Sequence, residues 1–259
     1  MRSAADRLGI KLLVGCGVLL VLVVVVGLLL ESRQEHLDPL NGCTIGAQPS
    51  AETVALIDLT DPIPQVQRDE VAEYFRQLES TELRANERLT VWTLSGAKDG
   101  ALQRRFCRCH PRRTVNPLWA NEQLAAAASE SMFAAPLRRA LADLPTQETA
   151  ARTPLLEAVQ QIVGQPEFAH RACPRRLVLV TNGEQNSGIL SAYTGKLNFV
   201  AFRKSTMFDR VHTDLRGVDV ELLHLPHGRA AITLSDELTT FWAAYFGSCG
   251  AHSVVVRRL

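Results

Sequence analysis

From residue 53 onward, short apolar runs of strand length alternate with segments that have a helical pattern of apolar residues. Residues 88–95, RLTVWTLS, combine β-branched and aromatic side chains in the proportion typical of a strand. In residues 64–79, by contrast, the apolar positions recur at the i, i+3, i+4, i+7 spacing of an amphipathic helix. This alternation predicts an α/β fold, with a doubly wound, mostly parallel sheet flanked by helices.

The pattern also gives the approximate position of each element. We predict strands at 53–58, 88–95, 176–181, 218–225 and 251–256, and helices at 64–79, 118–144 and 235–246, with a further helix that starts at Thr153-Pro154 and has an apolar face as far as Ile162. Thr153 and Ser235 are predicted N-caps, and Pro154 suits the first helical position. Pro136 is expected to break or kink the helix that contains it. Residues 96–117 have no clear period and are predicted to form a long irregular insertion.

Residues 12–30, LLVGCGVLLVLVVVVGLLL, form an uncharged apolar run. As a helix this run would extend roughly 28 Å, close to the hydrocarbon thickness of a bilayer. The apolar region of a secretory signal peptide is shorter, at about 7–15 residues, so the run favours an uncleaved transmembrane helix. Arg2, Arg7 and Lys11 precede it, which predicts a cytoplasmic N-terminus and a periplasmic or extracellular domain in a single-pass membrane protein.

These features divide the chain into four parts. We predict a cytoplasmic tail at 1–11, a transmembrane helix at 12–30, a linker at 31–52 and a folded domain at 53–259. The linker is polar and rich in turn-forming residues. The formal net charge of +1 argues against a nucleic-acid partner, because such proteins carry a strongly basic surface.

Of the six cysteines, all but Cys16 follow the apolar run. In an oxidising compartment they predict up to two disulfides with one thiol left over. We predict the pairs Cys43–Cys109 and Cys173–Cys249. Cys107 lies two residues before Cys109 and is followed by His110, but a structural zinc site would need a second ligand pair, and the sequence has none at matched spacing.

Polar side chains follow two of the predicted strands and precede one predicted helix. They are Asp58, Thr60 and Asp61 after the first strand, Thr153 before a helix, and Asn182 after a later strand. Ligands of open α/β sheets bind outside the carboxyl ends of the strands. Carboxylate, hydroxyl and amide oxygens suit a hard cation such as Mg²⁺ or Ca²⁺. Alternatively, the first cluster and Thr153 cap helices, and Asn182 begins a turn.

In this order and at these intervals, the segments LIDLTDPIP, RTPLLEAV and RRLVLVTNGEQNSG resemble the von Willebrand factor A (VWA) family. In that family, a metal-ion-dependent adhesion site is formed by Asp-x-Ser-x-Ser after the first strand, a Thr before a helix and an Asp-Gly after the fourth strand. Asp58, Thr60 and Thr153 match this pattern, whereas Pro62 replaces the second Ser and Asn182 replaces the Asp.

The resemblance spans roughly residues 53–247 and implies a membrane-anchored VWA-like module that binds another protein, in an adhesion or envelope assembly. It further implies a degenerate adhesion site for Mg²⁺ or Ca²⁺. Pro62 supplies no hydroxyl and Asn182 lacks a charge, while Asp61 adds a carboxylate beside the lost Ser.

Two alternative functions remain open. A Mg²⁺-dependent phosphoryl-transfer enzyme of the haloacid-dehalogenase-like type would use Asp58 as its nucleophile. That motif requires a second Asp where Thr60 lies, and a downstream acidic pair where this chain has only Glu184. A metal-independent structural component of an envelope assembly is the other alternative. We therefore expect an interaction module and no catalytic residues.

Overall fold

The computed structural model describes residues 4–31, 37–95, 101–111, 122–145, 150–169, 172–193, 197–226 and 231–259. They belong to two units, Met1–Leu37 and Asp38–Leu259. Four predicted segments therefore lie partly outside the described residues. They are the tail at 1–11, the linker at 31–52, the insertion at 96–117 and the helix at 118–144.

The first unit contains helix α1 (Ala4–Glu31), which includes the run predicted to cross a membrane. The side chains of residues 13–27 are described, and they are exposed. Among the described residues, no helix meets the combined length and hydropathy needed to span a bilayer.

In the described part of the second unit, six strands form one sheet in the order β3-β2-β1-β4-β5-β6. The strands are β1 (Glu52–Leu59), β2 (Arg88–Ser95), β3 (Ala101–Cys109), β4 (Arg175–Thr181), β5 (Val218–His224) and β6 (Ser253–Arg258). All neighbouring pairs are parallel except β2 and β3. The order extends in both directions from β1, which is the doubly wound arrangement. The predicted fold class is confirmed in this respect.

Helices cover both faces of the sheet. They are α2 (Gln65–Gln77), α3 (Glu122–Ser129), α4 (Ala135–Ala142), α5 (Leu155–Val163), α6 (Pro166–Ala169), α7 (Phe199–Arg203), α8 (Thr206–Val211) and α9 (Ala231–Ser248). Leu56 on β1 packs in the apolar cluster that includes residues of α5, α8 and α9. Its neighbour Ile57 points to the opposite face, into the cluster with α2 and α4. Because both faces are covered, β1 is buried along its whole length, and its middle residues 54–57 form an apolar run.

The prediction of an irregular insertion at 96–117 was wrong for the described residues 101–109. They form β3, which pairs antiparallel with β2 at the edge of the sheet. Gln103, Arg104 and Arg105 are exposed in the middle of this strand. An edge strand with an exposed, charged middle lacks the apolar run by which buried strands are recognised.

Pro136 lies in the first turn of α4, and a π-helical turn (Glu130–Ala134) directly precedes α4, so the regular α-helix is interrupted next to this proline. Two predictions about helix starts need correction. At α5 the N-cap position is Pro154, and the Thr153 side chain caps nothing. Helix α9 begins at Ala231, so Ser235 lies inside it.

The predicted disulfide Cys43–Cys109 is present, and it links residues 66 positions apart. The N–H of Cys109 also donates to the carbonyl of Asn41, so residues 38–43 are attached to the end of β3. The second predicted pair was wrong, because Cys173 and Cys249 are both free thiols. Cys249 is buried in the apolar cluster under α9, whereas Cys173 is half-buried just before β4.

Candidate functional site

The carboxyl ends of β1 and β4 lie side by side, because these strands pair in parallel with Ile57 opposite Val180. The segment that follows β1 therefore meets the loop that follows β4. Thr153 reaches the same edge through two backbone hydrogen bonds with Asn186, at 2.8 and 2.9 Å. Three segments that are distant in sequence thus converge on one edge of the sheet.

Asp58 is the centre of this convergence. Its Oδ1 accepts hydrogen bonds from the backbone N–H of Thr60 at 3.0 Å and from the Thr60 hydroxyl at 2.6 Å. Its Oδ2 accepts from the Thr181 hydroxyl at 2.7 Å. The Asp58 side chain is only 5% exposed, so all three bonds are shielded from water.

The Thr153 hydroxyl joins the same network, since it donates to the Thr60 hydroxyl oxygen at 2.9 Å. Thr60 in turn donates to Asp58, so the three side chains form one chain of hydrogen bonds. Both threonines are buried. The Thr153 hydroxyl donates to Thr60, and the Thr60 hydroxyl donates to the Asp58 carboxylate.

The other two predicted ligands form a second pair. The amide Nδ2 of Asn182 donates to Asp61 Oδ2 at 3.0 Å, while its Oδ1 accepts from the backbone N–H of Glu184 at 2.9 Å. Asp58, Asp61 and Asn182 line one small depression at the edge of the sheet. Pro62 is exposed beside it. All five predicted site residues are therefore near this edge.

The electrostatics of Asp58 are unusual. Burial raises the pKa of the Asp58 carboxyl, the hydrogen bonds from Thr60 and Thr181 lower it, and the charge of Asp61 raises it, with a net rise. Among the described residues, no Lys or Arg forms an ion pair with Asp58, and its hydrogen-bond donors are neutral. A buried carboxylate without a positive partner is costly, so this site favours a proton or a cation at Asp58.

The chemistry of the donors suits a hard divalent cation. All the candidate ligand atoms are oxygens, and two of the five candidate residues are carboxylates. No group of three or more His, Cys, Asp or Glu side chains in the described residues has the arrangement of a metal site. The candidate centre therefore depends on hydroxyl and amide oxygens as well as on acids. Since Cys109 forms a disulfide, it is not available as a zinc ligand in the Cys107–His110 segment.

Sequence reasoning missed three residues that build the site. Thr181, the last residue of β4, holds Asp58 Oδ2. Gln185 is 1% exposed, and its Oε1 accepts from the N–H of Leu156, which is the cap that Thr153 does not supply. Trp242 on α9 donates from Nε1 to the carbonyl of Gly183 at 3.0 Å. Of these three residues, only Thr181 could have been recognised from the sequence, because it is a hydroxyl residue at the end of a buried strand.

Gly183 shows why the loop after β4 needs a glycine. Its φ is +80°, in the left-handed region that other residues rarely adopt. A Cβ at this position would lie 3.3 Å from Trp242 Nε1. The loop that carries Asn182 is thus held closely against α9.

No protein-family model and no curated protein matches the chain. Among solved structures, the chain is similar to the SpRpn10 VWA domain, with 15% identity and a TM-score of 0.40 over 80% of this chain and 88% of that one. It is similar to the conserved hypothetical protein BatB from Bacteroides thetaiotaomicron, with 12% identity and a TM-score of 0.39 over 80% and 90% of the two chains. It is also similar to proximal thread matrix protein 1 from the mussel byssus, with a zinc occupied MIDAS motif, at 11% identity and a TM-score of 0.42 over 82% and 44%.

Proposed function

We propose that residues 53–259 form a VWA-like protein-interaction module that binds its partner at the carboxyl edge of β1 and β4. The observation that carries this proposal is the hydrogen-bonded chain from Thr153 through Thr60 to Asp58, which joins residues 93 positions apart at a sheet edge. Ligands of doubly wound sheets bind at this edge. The partner is another protein, in an adhesion or envelope assembly.

A divalent cation, Mg²⁺ or Ca²⁺, is the second part of the proposal. The residues that would hold it are Asp58, Thr60, Asp61, Thr153 and Asn182. A bound cation would supply the positive charge that the buried Asp58 carboxylate lacks, and would offer a position for a carboxylate of the partner. The protein's own residues orient the oxygens, and Thr181 fixes the Asp58 carboxylate.

Asp58→Asn tests the cation site. In the absence of divalent ions, the variant should unfold at a temperature equal to or above that of the unchanged protein, since it removes a buried charge and keeps one acceptor oxygen. Calorimetric titration with Mg²⁺, Ca²⁺ and Mn²⁺ should show heat of binding for the unchanged protein and none for Asp58→Asn. At a concentration of about 100 times Kd, the ion should add about 2.7 kcal/mol of stability to the unchanged protein.

Asp209→Asn is the matched control, because Asp209 is exposed on α8. It removes the same charge and should leave the titration unchanged. Equal heats of binding for Asp58→Asn and Asp209→Asn would contradict the cation site. A chain that binds its partner but no cation would correspond to the metal-independent envelope component.

The same site predicts a pH dependence of cation binding. Because the pKa of Asp58 is raised, a proton competes with the cation at a higher pH than for an ordinary aspartate. The affinity should therefore fall as the pH decreases from neutrality through the raised pKa. In the cation-free protein, the free energy of unfolding should change with pH in the other direction. Because the raised pKa means that the folded state holds the Asp58 proton more tightly than the unfolded state, the contribution of Asp58 to stability decreases as the pH rises.

We further propose that residues 12–30 anchor the module in a membrane, with residues 1–11 in the cytoplasm and the module in the periplasm or outside the cell. The uncharged run, the basic residues that precede it and the Cys43–Cys109 disulfide support this placement, because disulfides persist in oxidising compartments. Protease added to sealed, right-side-out vesicles should digest the module, whereas inside-out vesicles should protect it. Release of the chain by alkaline carbonate would contradict the anchor.

The interaction module is favoured over phosphoryl transfer by the surroundings of Asp58. Both of its carboxylate oxygens accept hydrogen bonds in a buried position, and Thr60 lies where the second acid of a phosphatase is needed. A phosphatase screen with and without Mg²⁺ distinguishes the two functions, and we expect no Mg²⁺-dependent hydrolysis.

A further inference from the structure

Gln67, in the first turn of α2, also lines the small depression beside Asp58 and Asp61. Its amide nitrogen Nε2 donates a hydrogen bond to the carbonyl oxygen of Pro226 at 3.0 Å. This bond defines the orientation of the amide, because the reversed amide would place two acceptor oxygens against each other. The oxygen Oε1 of Gln67 is therefore directed away from the Pro226 carbonyl.

The Oε1 atom of Gln67 is buried, and no hydrogen-bond donor reaches it from the part of the chain that the structure describes. Such an acceptor is unfavourable, because it has lost water without gaining a partner. The depression has a volume of about 10 Å³, which is close to the volume that one water-sized group occupies. A single cation fits in this volume beside Gln67.

The polar side chains that line the depression offer more acceptors than donors. When ionised, Asp58 and Asp61 can only accept hydrogen bonds. The amide nitrogen of Asn182 donates to Asp61 at 3.0 Å, and that of Gln67 donates to Pro226. A water molecule has only two hydrogens to donate, whereas a cation contacts several oxygens at once. The excess of acceptors therefore favours a cation over a water molecule in the depression.

We propose that Gln67 Oε1 is a further ligand of the cation, an inference that rests on the proposed cation site. Pro62 supplies no side-chain oxygen, whereas Gln67, on the helix that follows, supplies one. The added ligand is a neutral amide oxygen, of the kind that Ca²⁺ accepts from Asn and Gln side chains. Mg²⁺ is bound mainly through carboxylates and retained waters, so Gln67 should contribute more to the affinity for Ca²⁺ than to that for Mg²⁺.

Calorimetric titration of the full chain in detergent, with Ca²⁺ and with Mg²⁺, tests this role in Gln67→Met, which keeps the length of the side chain but removes the oxygen. The affinity for Ca²⁺ should fall about tenfold or more, and that for Mg²⁺ should fall less. Gln67→Ala should show the same difference between the ions. Gln65→Met is the matched control, because Gln65 is exposed on the same helix, and it should leave both affinities unchanged. Thermal unfolding without added ions checks that each variant folds.

The results distinguish the role of Gln67 from the cation site itself. If Asp58→Asn abolishes the binding of Ca²⁺ but Gln67→Met binds it as tightly as the unchanged protein, Gln67 is not a ligand and the cation site stands. An equal loss of affinity for Ca²⁺ and Mg²⁺ would also overturn the inference, since Gln67 would then only support the site through its bond to Pro226. If the unchanged protein gives no heat of binding with either ion, the cation site and the role of Gln67 are both overturned.

Discussion

Replacing Cys43 and Cys109 together with alanine should lower the free energy of unfolding by about 4 kcal/mol, since the disulfide restricts the unfolded chain over a long loop. The two cysteines are 66 positions apart, and β1, α2 and β2 all lie between them. Without the bond, residues 38–43 would be held to β3 mainly by hydrogen bonds such as that between Cys109 and Asn41. Chemical denaturation under non-reducing conditions, followed by tryptophan fluorescence, measures the change.

Cys173→Ala is the control for this prediction. Cys173 is a free, half-buried thiol, so its replacement should change the free energy of unfolding by less than about 0.5 kcal/mol. Reduction of the unchanged protein should reproduce the effect of the double variant. A loss below about 1 kcal/mol in the double variant would contradict the expected restriction of the unfolded chain by the disulfide.

Trp242→Ala should destabilise the domain by about 3–5 kcal/mol, the range for loss of a large buried aromatic side chain. Trp242 is fully buried and packs against Phe241, Tyr245 and Phe246. Its indole N–H also supports the Gly183 carbonyl, directly after the candidate ligand Asn182. Thermal and chemical unfolding measure the loss of stability.

Trp242→Phe separates packing from loop positioning. Phenylalanine keeps most of the apolar contact but removes one of the two N–H donors of the Gly183 carbonyl, which still accepts from the N–H of Gln185 at 2.9 Å, so the lost hydrogen bond should cost about 0.5–1.5 kcal/mol. If the loop position matters for the site, cation affinity should also decrease in this variant, at a temperature where it remains folded. Unchanged affinity together with reduced stability would show that Trp242 acts only in packing.

The elements that the sequence located well are the buried ones. The predicted strand at 88–95 coincides with β2, and the strand predicted at 176–181 is one residue short of β4, Arg175–Thr181. Both strands are rich in apolar and β-branched side chains, because helices cover both faces of the sheet. β3 was missed for the opposite reason, since its exposed arginines are typical of a loop as well as of an edge strand.

In the candidate site too, some residues were predicted from the sequence and others were not. Asp58, Thr60, Asp61, Thr153 and Asn182 were predicted together from their order and from the VWA resemblance, and they lie at one edge of the sheet. Thr181 and Gln185 were not predicted, because their contacts join residues separated by 123 and 29 positions. No local pattern marks a side chain whose partner is supplied by a distant segment. The same limitation applies to Thr153, whose predicted capping role is performed by Gln185.

The disulfides provide the clearest comparison between sequence and structure. The sequence alone indicated an α/β chain of alternating strands and helices, an apolar run at 12–30, and polar groups after two strands, because periodicity and composition are local properties. It could not decide which cysteines pair, since that depends on the distance between thiols after folding. The tertiary structure joined Cys43 to Cys109, left Cys173 and Cys249 as free thiols, and gave the Asp58 carboxylate neutral hydrogen-bond donors from the described residues, because strand order determines which distant segments meet.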